Sequence, residues 1–232
     1  MNIPLSRRLQ VCAGFVSPGD RVADIGCDHG YLSIYLLHNG IAASVIAADI
    51  NEMPLQSALR NAEKFGVAEK IRFYLSDGVK SIPRDFDTLV CAGMGADTMI
   101  SILQAAPWLR DRQYRLILQC QSKTQELRRY LSETGWQIRR ESVLRDGRFL
   151  YTVMEVLWEP EAPRLTVGQW YFPPALLCAP GDEICAYYQQ VVFRLKRAVT
   201  GQGAQADPIM IQALQELEHD HQWCKEEKHD NR

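Results

Sequence analysis

The sequence predicts an α/β fold in which a mostly parallel sheet carries helices on both faces, and three observations support this. Short β-branched runs alternate with segments of helical apolar spacing, which is typical of successive strand–helix units. A glycine turn, "DIGCDHG" at 24–30, follows the first apolar run. The alternation then ends in two β-rich runs joined by Asp146-Gly147, a strong signal for an antiparallel hairpin.

The elements of this fold follow one another in a regular order. "RVADIG" predicts the first strand, "YLSIYLLHNG" a helix that stops at Gly40, and "SVIAADI" the second strand. The next helix, "PLQSALRNAEKFG", has Pro54 in its first turn and ends at Gly66. Further strands are predicted in "KIRFYLSDG", "DTLVCAG" and "YRLILQC", and further helices in "TMISILQAAPWL" and "KTQELRRYLSETGW".

Beyond residue 158 the sequence predicts a helical extension. Apolar residues recur at helical spacing on both sides of the loop "GQGAQADP", which indicates two helices in an antiparallel pair. We therefore expect a first domain at 1–158, and a linker with a coiled-coil-like helical extension at 159–232. The extension packs on the core or on itself, or forms an arm for a second copy or for RNA. The two apolar faces consist of Ile184, Tyr187, Tyr188, Val191, Leu195 and Val199, and of Met210, Leu214, Leu217 and His221.

Composition narrows the class of protein. The chain has 232 residues, of which 47% are hydrophobic and 23% charged, as in ordinary soluble domains. No apolar run approaches the roughly 20 residues of a membrane span, and the N-terminus does not read as a secretory signal. We expect a cytoplasmic protein without a membrane or metal partner, because the His and Cys spacing shows no metal site. The net charge of −2 permits a polyanionic partner without demanding one.

The glycine turn contains acidic residues where a dinucleotide-binding turn would need glycine. A carboxylate at Asp28 would repel a pyrophosphate, which disfavours an NAD-dependent oxidoreductase. S-adenosylmethionine has no phosphate and carries an ammonium and a sulfonium group. We expect Asp24 and Asp28 to face this cationic end, while Gly26 and Gly30 let the backbone approach. A tight turn with an Asp that caps the helix is the alternative. The terminal hairpin is likewise typical of the Rossmann-like class I sheet of S-adenosylmethionine-dependent methyltransferases.

Other candidate residues follow the later strands. Asp49 ends the second strand and is spaced from the turn as an acidic residue that binds ribose hydroxyls. Asp77, in "LSDG", lies at the same carboxyl edge and is expected to accept from the adenine amino group, or else simply to form a turn. Gly93 and Gly95 remove side chains where cofactor and substrate would meet.

Several segments together carry a resemblance to a known family. "RVADIGCDHGYLSIYL", "AADINEMPLQSALRNA", "SDG", "DTLVCAGMGADTMISIL", "LILQCQ" and "LRRYLSETGW" resemble the TrmK family of tRNA adenine-22 N1-methyltransferases, from about Leu5 to Val156. The resemblance implies methyl transfer from S-adenosylmethionine to N1 of an adenine in the tRNA D-arm. It further implies that Arg7 reaches the methionine carboxylate. The implied cofactor-site residues are Asp24, Gly26, Asp28, His29, Gly30, Asp49, Asp77, Gly78, Gly93 and Met94.

The catalytic roles follow from the same resemblance. Tyr31 is expected to hold the target base, unless it only covers the turn as a helix residue. Asp28, or the main-chain carbonyls of Gly93 and Met94, would stabilise the positive charge of the methylated base. His29 would orient Asp28, contact the cofactor, or bond to backbone at the helix start.

The chain departs from the family pattern near the expected base pocket. Gln119-Cys120-Gln121 replaces Gln-Pro-Asn, Ala96 replaces the last glycine of GMGG, and Cys27 replaces a threonine. A methyltransferase for a small molecule or a protein, and a non-catalytic S-adenosylmethionine-binding module, therefore stay open, as does the oligomeric state. The cations expected for RNA contact, unless they are ordinary solvated surface, are Arg7, Arg8, Lys123, Arg128, Arg129, Arg139, Arg140, Arg145 and Arg148.

Overall fold

A seven-stranded sheet forms the centre of the computed structural model, which describes residues 3–176 and 181–219. The strands are β1 (Arg21–Ile25), β2 (Ser44–Asp49), β3 (Ile71–Leu75), β4 (Thr88–Met94), β5 (Arg115–Cys120), β6 (Trp136–Asp146) and β7 (Phe149–Trp158). Their order is β3-β2-β1-β4-β5-β7-β6. The first five are parallel, and β7 is antiparallel to both β5 and β6. The predicted parallel sheet with a terminal hairpin is confirmed.

Eight α-helices accompany the sheet in the described residues. They are α1 (Arg7–Phe15), α2 (Tyr31–His38), α3 (Glu52–Lys64), α4 (Ala96–Ala105), α5 (Thr124–Glu133), α6 (Val167–Tyr171), α7 (Asp182–Gln202) and α8 (Pro208–His219). The sequence did not predict α1 and α6. α6 has only five residues, too few for helical spacing to repeat, and the nine residues of α1 mix polar and apolar positions without a clear apolar face. Ser6 and Thr166 cap their N-termini. No helix in the described ranges is long and apolar enough to cross a bilayer.

The helices cover the two faces of the sheet unequally. On one face, α4 and α5 bury residues such as Met99 and Leu127 against the strands. On the other, α1, α2 and α3 bury residues such as Phe15, Ile34 and Ala58. Because β1, β2 and β4 run parallel between these layers, their carboxyl ends meet at one edge of the sheet. Every side chain that follows these strands is therefore brought to that edge.

The terminal hairpin turns tightly. Asp146 pairs with Phe149, so Gly147 and Arg148 form the loop. Gly147 has φ +59°, a left-handed conformation that glycine adopts without steric cost. The predicted hairpin is thus confirmed, with its two-residue loop one position later than the Asp146-Gly147 pair, because Asp146 still belongs to β6.

The extension packs on this hairpin. The helices α7 and α8 form the two predicted helical segments, and residues 220–232, with His221, lie outside the described residues. Tyr188, Leu195 and Leu217 are buried in a third hydrophobic cluster, against which Val143 of β6 packs. The extension therefore covers part of the sheet rather than only itself.

A buried ion pair ties the extension to the sheet. The Arg128 guanidinium lies 2.6 Å from Glu141 of β6, and the two side chains are 1% and 0% exposed. Arg128 also donates to the carbonyls of Trp170 and Tyr171 and to the Tyr187 hydroxyl. This position corrects the expectation that Arg128 contacts RNA, because α5 turns it inward, where its donors bond to Glu141 and to the extension.

Candidate active site

A cavity of about 500 Å³ opens at the carboxyl edge of the sheet. Its volume lies in the range of small-molecule sites, about 300–1,000 Å³. Eight of the predicted cofactor residues line it, whereas Arg7, His29, Gly30 and Tyr31 do not. The eight are Asp24, Gly26, Asp28, Asp49, Asp77, Gly78, Gly93 and Met94.

The glycine turn after β1 has no free donor at its first three positions. The N–H groups of Gly26 and Cys27 donate to the Ala48 carbonyl at 2.8 and 3.0 Å. The Asp28 N–H donates to the Asp49 carboxylate at 3.1 Å. A phosphate-binding turn needs these N–H groups to point at its ligand. This turn therefore does not offer a pyrophosphate site, in agreement with its acidic side chains.

Asp24 is a buried carboxyl group in the wall of the cavity. It is 3% exposed and accepts a hydrogen bond from the Ser33 hydroxyl at 2.7 Å. Burial, aided by the charge of Asp49, raises the pKa of Asp24 to about 6 although the hydrogen bonds from Ser33 lower it. A bound cation would favour the ionised form and lower this pKa. Burial of the Asp24 carboxylate therefore costs free energy in the empty site, and the charge of a cationic ligand would offset that cost.

Asp24→Asn is expected to stabilise the ligand-free protein above pH 6. The raised pKa means that the native state binds more protons than the unfolded state between about pH 4 and pH 6, so stability falls as pH rises through this window. Removal of the charge abolishes that loss, which amounts to at most about 3 kcal/mol. Thermal unfolding from pH 4 to 8 should show the variant and wild-type stabilities diverging between about pH 4 and pH 6 and keeping a constant separation above pH 6. Parallel curves would contradict the cost assigned to Asp24.

Asp49 ends β2 and organises two loops. Its carboxylate accepts the Asp28 N–H and, at 2.9 Å, the Asn51 N–H, and the residue is 8% exposed. Each carboxylate oxygen can accept a further bond, so the group can still bind a ribose diol. The next residue, Ile50, lines the cavity although it is 62% exposed. Sequence reasoning missed Ile50, whose only signal is an apolar residue directly after an acidic strand end.

The turn after β3 supplies Asp77 and Gly78. Asp77 lines the cavity at an exposed position and forms an ion pair with Lys80. Gly78 has φ +59°, and a Cβ there would lie 2.9 Å from Cγ1 of Ile102. Gly78 is therefore required by the packing of α4 against this turn as well as by its left-handed backbone.

The end of β4 forms another wall. Gly93 has φ +81° and donates its N–H to the Gln119 side chain at 3.1 Å, while the Met94 carbonyl accepts the Gln121 N–H at 2.8 Å. Gln119, 1% exposed, and Gln121 also line the cavity. The segment Gln119-Cys120-Gln121 thus places two amide side chains beside the glycine loop, as Gln-Pro-Asn would, and the departure at its third position lengthens one of them. The Met94 carbonyl already accepts one hydrogen bond, from the Gln121 N–H, so one of its two lone pairs is left for a ligand.

The structure places Arg8, not Arg7, in the cavity lining. Arg7 is exposed and pairs with Glu183 at 3.2 Å, whereas Arg8 lines the cavity and pairs with Asp146 at 3.0 Å. Successive residues of a helix point about 100° apart, and α1 is oriented so that Arg8 and Leu9, but not Arg7, line the cavity. The expectation that Arg7 reaches the methionine carboxylate is not met by this lining, which contains Arg8 instead.

Three further predicted residues lie beside the cavity rather than in its lining. A Cβ on Gly30, which has φ +72°, would lie 2.8 Å from Cβ of Ala58, so Gly30 permits α3 to pack closely instead of admitting a ligand. The His29 imidazole lies 3.6 Å from the Asp28 carboxylate, the contact by which it would orient Asp28. Tyr31 begins α2 and packs, half-buried, against the core. The backbone of residues 26–30 changes direction at Gly26, Asp28 and Gly30, which all have positive φ, so the side chains of this turn do not all face the cavity.

Comparison with known proteins agrees with this geometry. Residues 5–154 match the family described as "Methyltransferase domain". The tRNA (adenine(22)-N(1))-methyltransferase of Bacillus subtilis is 33% identical over 153 residues, or 66% of this chain, and the match spans 64% of that protein's length. The structure of B. subtilis TrmK, an M1A22 tRNA methyltransferase, superposes with TM-score 0.77 at 27% identity, covering 97% of this chain and 99% of that one.

A second solved structure is that of Streptococcus pneumoniae Sp1610 in complex with S-adenosyl-L-methionine. It has TM-score 0.80 and 29% identity, and the superposition covers 93% of this chain and 98% of the other. The likeness therefore extends through the helical extension as well as the sheet. The chain belongs to the methyltransferase-domain family, and its sequence and fold are similar to those of TrmK.

Proposed function

We propose that this protein transfers a methyl group from S-adenosylmethionine to N1 of adenine 22 in the D-arm of tRNA. The observation that carries the proposal is the acid-lined turn after β1. Its first three N–H groups donate hydrogen bonds to Ala48 and Asp49 and are not available to a phosphate. Such a turn fits a cationic, phosphate-free nucleoside. The choice of substrate rests on the similarity to the B. subtilis enzyme, and the proposed cytoplasmic location rests on the same similarity.

The residues of the cavity fit the parts of this cofactor. Asp49 would accept the ribose hydroxyls, Asp77 the adenine amino group, and Ile50 would cover the adenine face. Asp24 and Asp28 would face the cationic end, with Asp24 buried and Asp28 exposed. When bound, S-adenosylmethionine supplies an electrophilic methyl group.

The chain's own contribution to the reaction would be mainly positioning. N1 of neutral adenine has a lone pair and no proton, so its attack requires no general base. Burial raises the pKa of the Cys27 thiol, which stays protonated and does not compete as a nucleophile. Holding the base and methyl group in line is worth several kcal/mol. Asp28 and the Gly93 carbonyl are the acceptors proposed to stabilise the cationic product.

Methylation of two tRNA transcripts tests the proposal. One transcript carries the D-arm adenine 22, and the other has guanine in its place. Tritiated methyl incorporation is expected only in the first, because N1 of guanine carries a proton. Equal incorporation into both transcripts would show that the methylated base is not adenine 22. Labelling of proteins or small molecules alone would favour the rival substrate classes, and cofactor binding without any turnover would favour a non-catalytic module.

Arg8→Ala is expected to weaken S-adenosylmethionine binding about 10-fold, whereas Arg7→Ala should leave it unchanged. A charged hydrogen bond to the cofactor's carboxylate is worth roughly 1.5–3 kcal/mol, and only Arg8 lines the cavity. Isothermal titration of both variants measures the difference. The matched arginines share one helix, so equal losses would show that the effect comes from α1 as a whole.

Tyr31→Ala is expected to reduce methyl transfer about 10-fold while cofactor affinity stays the same. Stacking of a base on an aromatic ring contributes about 1–3 kcal/mol. Tyr31→Phe keeps the ring and should retain most of the activity. Single-turnover rates with saturating cofactor provide the measurement. Because Tyr31 lies outside the cavity lining, full activity of Tyr31→Ala would confine it to covering the turn.

The cations proposed for RNA contact are mostly paired. Lys123 pairs with Asp97 at 2.7 Å, and Arg129 with Glu133 at 3.0 Å. Arg139 and Arg140 pair with Glu159 and Glu155, both at 3.5 Å. Within the described residues, Arg145 and Arg148 on the hairpin form no ion pair and are exposed. We propose that these two make the hairpin's phosphate contacts.

A further inference from the structure

A second cavity, of about 370 Å³, lies between the sheet and the helical extension. Its walls come from the β5–α5 connection, from β7 and from α7. Gln121 lines both cavities. In addition, Arg8 of the first cavity lies 5.1 Å above the ring of Tyr151, which lines the second. The two cavities are therefore immediate neighbours.

The second cavity is built for an anion at one end. The N-terminus of the ten-residue helix α5 opens into it, with Ser122 and Thr124 in the lining. The N-cap residue, Lys123, has φ +57° and makes no side-chain capping bond. The first N–H groups of a helix carry a partial positive charge and bind phosphate groups well. Arg194 of α7, exposed and without an ion pair to any described residue, lines the same space.

A buried hydroxyl independently indicates a ligand here. Thr152 of β7 lines the second cavity and is 2% exposed. Its hydroxyl has no hydrogen-bond partner in the described part of the chain. A buried polar group without a partner destabilises the fold, and it calls for an explanation such as a bound ligand or water. Thr152 is therefore a polar residue of the lining whose unmet hydrogen bond an occupant of this cavity can complete.

The remaining walls are aromatic and apolar. Tyr151, Tyr171 and Tyr187 contribute rings, and Val191 and Leu195 contribute aliphatic surface. Inorganic phosphate alone would not need such walls. A nucleotide, with a flat base and a phosphate, matches both ends, because bases stack on aromatic rings and phosphates bind helix N-termini.

We propose that the second cavity binds one nucleotide of the RNA that neighbours the target adenine, its phosphate at the N-terminus of α5 and Arg194, and its base against the tyrosines. This inference rests on the proposed function. It assigns the extension a direct role in seating the RNA strand beside the cofactor cavity. A free nucleotide has the same chemistry, and the experiment distinguishes the two sources.

Thr152→Val and Arg194→Ala test the proposal, with Arg197→Ala as the matched control on the same helix. Arg197 is exposed and does not line the cavity. Affinity for the tRNA transcript is measured with S-adenosylhomocysteine saturating the first cavity. Arg194→Ala should weaken tRNA binding about 10-fold and reduce the slope of log affinity against log salt by about 0.7–0.9. Arg197→Ala should change neither quantity.

Thr152→Val should weaken tRNA binding while its melting temperature stays equal to, or exceeds, that of wild type, since it removes a hydroxyl that has no partner in the fold. A lower melting temperature with unchanged tRNA affinity would assign Thr152 to structure and overturn the proposal. Adenosine monophosphate, with S-adenosylhomocysteine still saturating, should compete with tRNA. If it binds without competing, and both variants bind tRNA like wild type, the cavity serves a free nucleotide and the RNA assignment falls.

The two proposals fail separately. Arg194-dependent tRNA binding without methylation of adenine 22 would overturn the proposed function and support this inference. Methylation of adenine 22 with wild-type tRNA affinity in both variants would overturn this inference alone.

Discussion

Asp49→Ala is expected to weaken S-adenosylmethionine binding by about 100-fold or more. Two hydrogen bonds from a ribose diol to a carboxylate contribute roughly 3 kcal/mol together, and each 1.4 kcal/mol is tenfold in affinity. The same carboxylate accepts the N–H groups of Asp28 and Asn51. Its removal therefore also leaves the glycine turn and the start of α3 without the acceptor that joins them.

Calorimetric titration with S-adenosylmethionine and S-adenosylhomocysteine measures this effect. Asp85→Ala is the control, because it removes an exposed carboxylate paired with Arg72 and outside the cavity lining. Equal loss for both cofactor forms is expected, since they share the ribose. Wild-type affinity in Asp49→Ala would remove the ribose-binding role and with it the principal anchor of the proposed site.

Arg128→Met is expected to lower the free energy of unfolding by about 3–5 kcal/mol. The substitution leaves Glu141, whose side chain is 0% exposed, as an unpaired buried charge. It also removes the donors to the carbonyls of Trp170 and Tyr171, which join the extension to the sheet. In a chain of this size the melting temperature should fall by roughly 6–20 °C.

The double variant Arg128→Met/Glu141→Leu provides the control. Replacing both members of a buried ion pair by apolar residues is often close to neutral, so the double variant should recover much of the lost stability. Calorimetric or denaturant unfolding of the single and double variants completes the cycle. S-adenosylhomocysteine affinity should be unchanged throughout, because neither residue lines the first cavity. A double variant no more stable than Arg128→Met would show that the lost carbonyl contacts, and not the charge, dominate.

The fold could be predicted from the sequence because its signals are local. The alternation of strand and helix patterns, and the turn at Asp146-Gly147, depend on residues adjacent in the chain. The short helices α1 and α6 escaped prediction, because each is held by a capped N-terminus and by packing rather than by a repeated apolar face. Likewise Arg128 looked like a surface cation, since helical periodicity does not show that the extension folds over α5.

The candidate site was predicted where strand topology dictates it. Asp24, Asp49, Asp77 and Gly93 end or follow parallel strands, and such ends converge on one edge. Strand topology does not show which of two adjacent side chains faces the ligand. Arg8 and not Arg7 lines the cavity because of the orientation of α1, which the residues of α1 do not encode by themselves.

The sequence by itself determined the parallel sheet, its terminal hairpin and the acidic character of the cofactor edge, because these follow from local conformation and from the chemistry of adjacent residues. Only the tertiary structure decided that the turn's N–H groups are spent on Ala48 and Asp49, that Gly30 serves packing against Ala58, and that a second cavity adjoins the first across Gln121. These depend on segments distant in the chain, whose relative placement is set by burial of the whole core rather than by any one stretch.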